Sequence, residues 1–143
     1  MATFSTRRTL IGQIAFGEDL YGGLTRLIQT ENIRLGRLQA IGATTHAVVA
    51  YYDQKARKYN TMEFPGGMEI VSCTGNISIR DGKPFVHAHI SLGDREGKIF
   101  GGHLMPGTRV FACEVFIEEY EGEGLIRAED GKTGLFLWNS GIL

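Results

Sequence analysis

Three of the chain's four histidines fall in one stretch, PFVHAHISLGDREGKIFGGHL (residues 84–104). His87 and His89 are separated by Ala88, and His103 follows Gly101 and Gly102. On an extended strand residues i and i+2 project from one face, so the imidazoles of His87 and His89 stand side by side and can reach a single metal ion. The Gly-Gly pair lets the backbone turn sharply and bring back a third imidazole, that of His103. Three neutral imidazole nitrogens without a fourth protein ligand make an open zinc site, with water in the vacant position. A metal held this way lowers the pKa of that water towards neutrality. Alone, the His-x-His pair is equally well explained by hydrogen-bonded surface or interface histidines; the third histidine tips the reading towards metal. His46 has no partner in sequence and reads as an ordinary strand residue.

The element that must position two of these histidines is legible from its turn. Asp81-Gly82 lies between alternating segments, and both residue types tolerate the positive φ of a two-residue type I′ hairpin. With Arg80 opposite Lys83 the register is fixed: Asn76 faces His87, Thr74 faces His89 and Ser72 faces Ser91 on one side. Ile77–Val86, Gly75–Ala88, Cys73–Ile90 and Val71–Leu92 pair on the other, which is therefore the core side. Pro84, beside Ile79, falls at a non-hydrogen-bonded pair where its missing N–H costs little. Phe85 is the exception, an apolar residue on the polar side opposite Ser78, and implies that this face is not simply open to water. Asn76 is placed to orient His87 or to touch a bound ligand, and Thr74 stands across from His89. Glu69 has the wrong parity for the histidine face unless a bulge brings it round, or else it serves another subunit.

The remaining chain supplies one helix and a series of strands. Residues 8–16 read as a strand. Asp19 is a candidate N-cap, followed by Leu20, Leu24, Leu27 and Ile28 on one helical stripe, ending near Asn32. Gly22 and Gly23 weaken this helix, and a close packing contact would explain them. Strands are expected over 35–43, 45–53, 58–64, 68–80, 83–93 and 108–120, with a C-terminal piece around 134–138; Pro65-Gly66-Gly67 reads as a corner that stops a strand. One helix among seven or eight strands at hairpin-like spacing gives an α+β fold, a mostly antiparallel β-sheet with one main helix near the N-terminus. No linker or repeat divides the 143 residues, which read as a single domain, 1–143.

Composition narrows the function classes. The net charge of −1 gives no general attraction to nucleic acid or anionic membranes. No apolar run approaches the ~18–20 residues needed to span a bilayer, and the N-terminus carries no signal-peptide pattern. Cys73 and Cys113 are the only cysteines and are expected as buried free thiols, so a cytoplasmic location is the default. Glu114, Glu118, Glu119, Glu121 and Glu123 read as a solvated acidic edge that discourages strand aggregation. Trp138 reads as a core or interface anchor. No Ser-His-Asp order, phosphate-binding glycine loop or paired helical acids identify a reaction, so catalytic residues and substrate are not assigned.

GED near the start, GMEIVSCTGNIS, and HAHISLGDREGKIFGGHL together resemble the PPC domain, a domain shared by plants and prokaryotes, over about residues 8–116. The resemblance implies an α+β fold with an antiparallel sheet, assembled as a homotrimer. It also implies a metal site, zinc first and another divalent ion as the alternative, at the positions matching the motif, here His87, His89 and His103. Glu69 and Asn76 match the motif as well. Plant members join the domain to DNA-binding AT-hooks. That hook needs an Arg-Gly-Arg-Pro core, which this chain lacks; its nearest approach is Arg34-Leu-Gly-Arg37, and Arg7-Arg8 is only a small basic pair. Nucleic acid is therefore not an expected partner.

Three functions compete at this stage. One is a metal-binding homotrimer with a small-molecule ligand at the metal. A second, by family analogy, is a DNA-binding or regulatory module. The third is an assembly role in which the histidines serve only a subunit interface.

Overall fold

The computed structural model describes residues 2–139; the expected domain extends to residues 1 and 140–143, which lie outside the described part. Asp81 (φ 51°) and Gly82 (φ 75°) both take positive φ and join β3 (Lys58–Arg80) to β4 (Lys83–Gly93). The register runs as the turn dictates, from Arg80–Lys83 through Ile79–Pro84, Asn76–His87 and Thr74–His89 to Ser72–Ser91. There it shifts. A bulge at Val71 puts Ile70, not Val71, opposite Leu92, and leaves Val71 52% exposed instead of in the core. An extra residue in one strand reverses the side-chain parity beyond it.

The N-cap reading holds at Asp19, whose Oδ1 accepts from Gly22 N at 2.7 Å to open α1 (Leu20–Thr30). Leu20, Leu24 and Ile28 are fully buried, and burying side chains of this size contributes about 1.5–3 kcal/mol each. Gly23 faces β1 (Thr6–Ile14): a Cβ there would come within 2.8 Å of Ile14 Cγ2, which accounts for a helix-weakening residue inside the stripe. The helix lies against β4 and β1 and covers one face of the sheet, where it meets Cys73, Ile77, Val86 and Ile90 in the core.

The sheet is six-stranded, in the order β1-β6-β2-β3-β4-β5, and every pairing within it is antiparallel. Two expected breaks are absent. Residues 36–53 form one strand, β2 (Gly36–Asp53), and the Pro65-Gly66-Gly67 corner lies inside a continuous β3, where the register against β2 shifts between Thr44 and His46. β2 is long enough to serve two neighbours along one edge. Its first half pairs with β6 (Arg109–Tyr120), and Val49 and Ala50 pair with Leu104 and His103 of β5 (Ile99–Leu104), closing β2, β3, β4 and β5 into a ring. Gly101 and Gly102 thus lie in a strand and not in a sharp turn. A Cβ on Gly101 would collide with the carbonyl oxygen of Ile90, and one on Gly102 would sit 2.7 Å from that of Ala50, so these residues let three backbones approach closely. A separate two-stranded hairpin, β7 (Arg127–Asp130) and β8 (Leu135–Trp138), follows; only its second strand is expected from sequence.

Glu114, Glu121 and Glu123 are exposed as expected, but the acidic segment is not a sheet edge and Glu119 is not solvated. β6 lies between β1 and β2, and Glu119 is 3% exposed, accepting from Arg8 Nε at 2.6 Å and Arg7 Nη1 at 3.4 Å, while Glu118 pairs with Arg37 at 2.6 Å. Parity decides this: Glu119 alternates with Val115 and Ile117 on the inward side. Cys73 and Cys113 are buried free thiols. No helix among the described residues is long and apolar enough to cross a membrane.

Candidate metal centre and its pocket

β4 presents His87 and His89 on the face away from α1, and β5 places His103 directly opposite His89. The rings lie with centroids 5.4 Å (His87–His89), 5.0 Å (His87–His103) and 5.3 Å (His89–His103) apart. One nitrogen from each lies within 4.8 Å of the others. Side chains adjacent along β4 and across to β5 are thereby gathered at one point by pleat and register alone.

Burial, reinforced by the Arg127 guanidinium, lowers the pKa of His87 to about 4. Burial, then the neighbouring His89 and Arg127, lowers that of His103 to about 4. Both rings are neutral at neutral pH. Nδ1 of His103 is buried with no hydrogen-bond partner among the described residues. A buried, unsatisfied ring nitrogen beside two further imidazoles is what a nitrogen-liganded cation would satisfy, so the residues present fit a zinc-type ion.

Of the other expected site residues, Asn76 is joined to the cluster through a residue that sequence reasoning missed. Arg127 Nη2 donates to Asn76 Oδ1 at 2.8 Å and to His87 Nδ1 at 3.2 Å. Its Nε donates to Ser78 Oγ and its Nη1 to the carbonyl of Phe136, both at 2.8 Å. Thr74 stands across from His89 but lines a different depression, with Gln39 and Phe116. The bulge at Val71 does turn Glu69 to the histidine side, yet Glu69 pairs with Gly93 at the far end of the hairpin and lies with Thr44 and Asp94, away from the imidazoles.

The β7–β8 hairpin roofs a cavity of ≈ 670 Å³ over the histidines, within the range of small-molecule sites. Ile79 N donates to Leu125 O at 2.8 Å, and Tyr52 Oη to Thr133 O at 2.7 Å, fixing the roof at both sides. Tyr59 packs 5.0 Å from the His103 ring. Phe85, anomalous on a polar face, lies under Arg80 and Arg127 as part of the cavity wall. That anomaly is the one sequence signal that something covers this face. Trp138 is not a core residue: it is 42% exposed, with its ring 5.8 Å from the Arg127 guanidinium.

The fold and part of the sequence are shared with solved proteins. A metal-containing protein from Archaeoglobus fulgidus is 39% identical, with a TM-score of 0.91 over 96% of this chain and 97% of that one. A plant- and prokaryote-conserved (PPC) protein from Pyrococcus horikoshii is 36% identical, with a TM-score of 0.92 over 100% and 99%. A protein from Bacteroides thetaiotaomicron, provisionally described as DNA-binding, shares the fold at 24% identity, with a TM-score of 0.85 over 95% of this chain and 96% of that one. Among curated proteins, the bifunctional protein GlmU of a Synechococcus strain is 28% identical over 120 residues, and the chain spans 18% of that relative's length. The sequence pattern of the Plants and Prokaryotes Conserved domain matches residues 1–121. With that match and those structural likenesses, the chain belongs to the Plants and Prokaryotes Conserved domain family.

Proposed function

We propose that this chain binds a divalent metal ion, zinc first, through His87, His89 and His103, and that the roofed cavity beside it receives a small molecule. The observation that carries this reading is the convergence of three imidazoles, two of them held neutral and one of them, His103, with a buried and unpartnered Nδ1. The description of the Archaeoglobus relative as metal-containing supports it. When bound, such an ion supplies Lewis acidity and an activated water. In the metal-free chain Arg127, itself held by Asn76, fixes the His87 ring, and the hairpin shelters the site. No reaction is assigned.

Assembly as a homotrimer belongs to the same reading. Ile11 and Phe116, neighbours across β1 and β6, are exposed, as are Ile41 and Val71. Apolar residues in such numbers on one sheet mark an interaction surface. Two buried thiols support a cytoplasmic location. The nucleic-acid reading is weaker, because Arg7, Arg8 and Arg37 are each occupied by a glutamate and the net charge is −1.

Metal analysis of protein purified without added metal, with light scattering for the mass, tests the proposal. About one equivalent of metal per chain, lost in a His87→Ala/His89→Ala variant, and the mass of three chains are expected. Failure to retain or take up zinc removes the metal function.

A further inference from the structure

Arg127 is a buried cation with no anion beside it among the described residues. It is 8% exposed, and no carboxylate lies within ion-pair distance of it among the described residues. Buried charges are ordinarily paired, because an unpaired one forgoes solvation without compensation. Four of its five N–H groups are occupied by neutral acceptors, leaving one on Nη1. Arg80 adds to the imbalance. Its guanidinium lies 3.8 Å over the Phe136 ring and repels that of Arg127, and its nearest carboxylate, on exposed Asp81, is 3.7 Å away. Arg57 lines the same cavity, and no Asp or Glu among the described residues does.

We propose that this cavity binds a small organic carboxylate, paired with Arg127 and Arg80, with its apolar body against Phe85, Phe136 and Tyr59. The proposal extends the metal reading of the same site, where a bound cation would deepen the same positive field. Carboxylate, and not phosphate, follows from the donors. Arg127 has a single N–H to give, and a phosphate's three oxygens call for the fuller set of forked or backbone donors that phosphate sites supply. The aromatic walls favour a planar body. Both Arg127 and Phe136 come from the hairpin, beyond residues 1–121 that the family pattern matches.

Isothermal titration calorimetry of the full chain with benzoate, its neutral isostere benzamide, and phenyl phosphate, on chelator-treated and on zinc-treated protein, tests this. Benzoate is expected to bind more tightly than either other probe by about tenfold, and R80Q and R127M each to weaken it by about tenfold. R80Q alters a partly exposed side chain and keeps the test decisive should R127M fail to fold. Equal affinity for benzoate and benzamide overturns the proposal, as do tighter phenyl phosphate, no benzoate binding in either form, or benzoate affinity unchanged by R80Q. Zinc uptake is measured on the same samples. Protein that takes no zinc yet prefers benzoate loses the metal function and keeps this one; protein that takes zinc and ignores the charge of the probe does the reverse.

Discussion

Arg127 Nη2 lies 3.2 Å from His87 Nδ1, and because a guanidinium can only donate, that ring nitrogen accepts. The neutral His87 ring therefore carries its proton on Nε2. A cation that binds His87 must displace either this proton or the N–H of Arg127, so arginine and metal compete for one imidazole.

Replacing Arg127 with Met removes both the competing donor and a nearby positive charge. Zinc affinity is expected to rise by about tenfold, measured by competition with a chromogenic chelator. Ser78 and Asn76 lose their donor at the same time, which costs about 1–3 kcal/mol of folding stability. A folded R127M protein with unchanged or weaker zinc binding contradicts the competition.

Acidification should destabilise the metal-free protein. Both His87 and His103 titrate near 4 in the folded chain, below the ordinary value of 6.5. Between those values the unfolded chain binds more protons than the folded one, so stability is fully present above about pH 6.5 and falls as the pH drops towards 4. Urea midpoints of chelator-treated protein across this window should slope downward with acid. The slope should flatten in a His87→Asn/His103→Asn variant; an equal slope in both proteins rules out these histidines as its source.

Gly101→Ala places a methyl group against the Ile90 carbonyl and forces β5 away from β4. Because His103 rides on β5 opposite His89, zinc affinity should fall by about tenfold or more while far-ultraviolet circular dichroism stays near wild type. Gly12→Ala in β1, where a Cβ meets nothing within 4 Å, is the control and should bind zinc normally. Equal zinc affinity in the two variants would show that the position of β5 does not govern the site.

Asp19 is both the cap of α1, through Gly22 N, and an acceptor for Gly107 N in the loop before β6. Asp19→Ala is expected to cost about 1–2 kcal/mol in denaturant titrations. Asp19→Asn, which keeps an acceptor, should recover part of that loss. If the two variants are equally stable, capping is not what Asp19 contributes.

What could be read from the sequence follows the range of the forces involved. The Asp81-Gly82 turn sets β3 against β4 residue by residue, and so places Asn76 by His87 and Thr74 by His89. The bulge at Val71 was out of reach because Ile70 and Val71 are equally apolar, and only the three-dimensional path of β3 decides which of them turns inward. Gly101 and Gly102 suit a turn and a close approach equally well in sequence, and the close approach appears only once β5 is seated between β4 and β2. Glu119 looked solvated because its partners, Arg7 and Arg8, stand more than a hundred residues earlier. Arg127 gave no local sign at all, since its role rests on a hairpin folding back across β3 and β4, and only the misplaced Phe85 hinted at such a cover.

The two thiols bear on how the site can be controlled. Cys73 and Cys113 are both buried, and burial raises their pKa to about 12 and about 11, so neither is a nucleophilic thiolate at neutral pH. The proposed ligand set is nitrogen alone. Peroxide and disulfide exchange, which act on thiolates, find no handle in it. Occupancy would answer to the supply of cations and organic acids, and stay indifferent to the oxidation state of the surroundings.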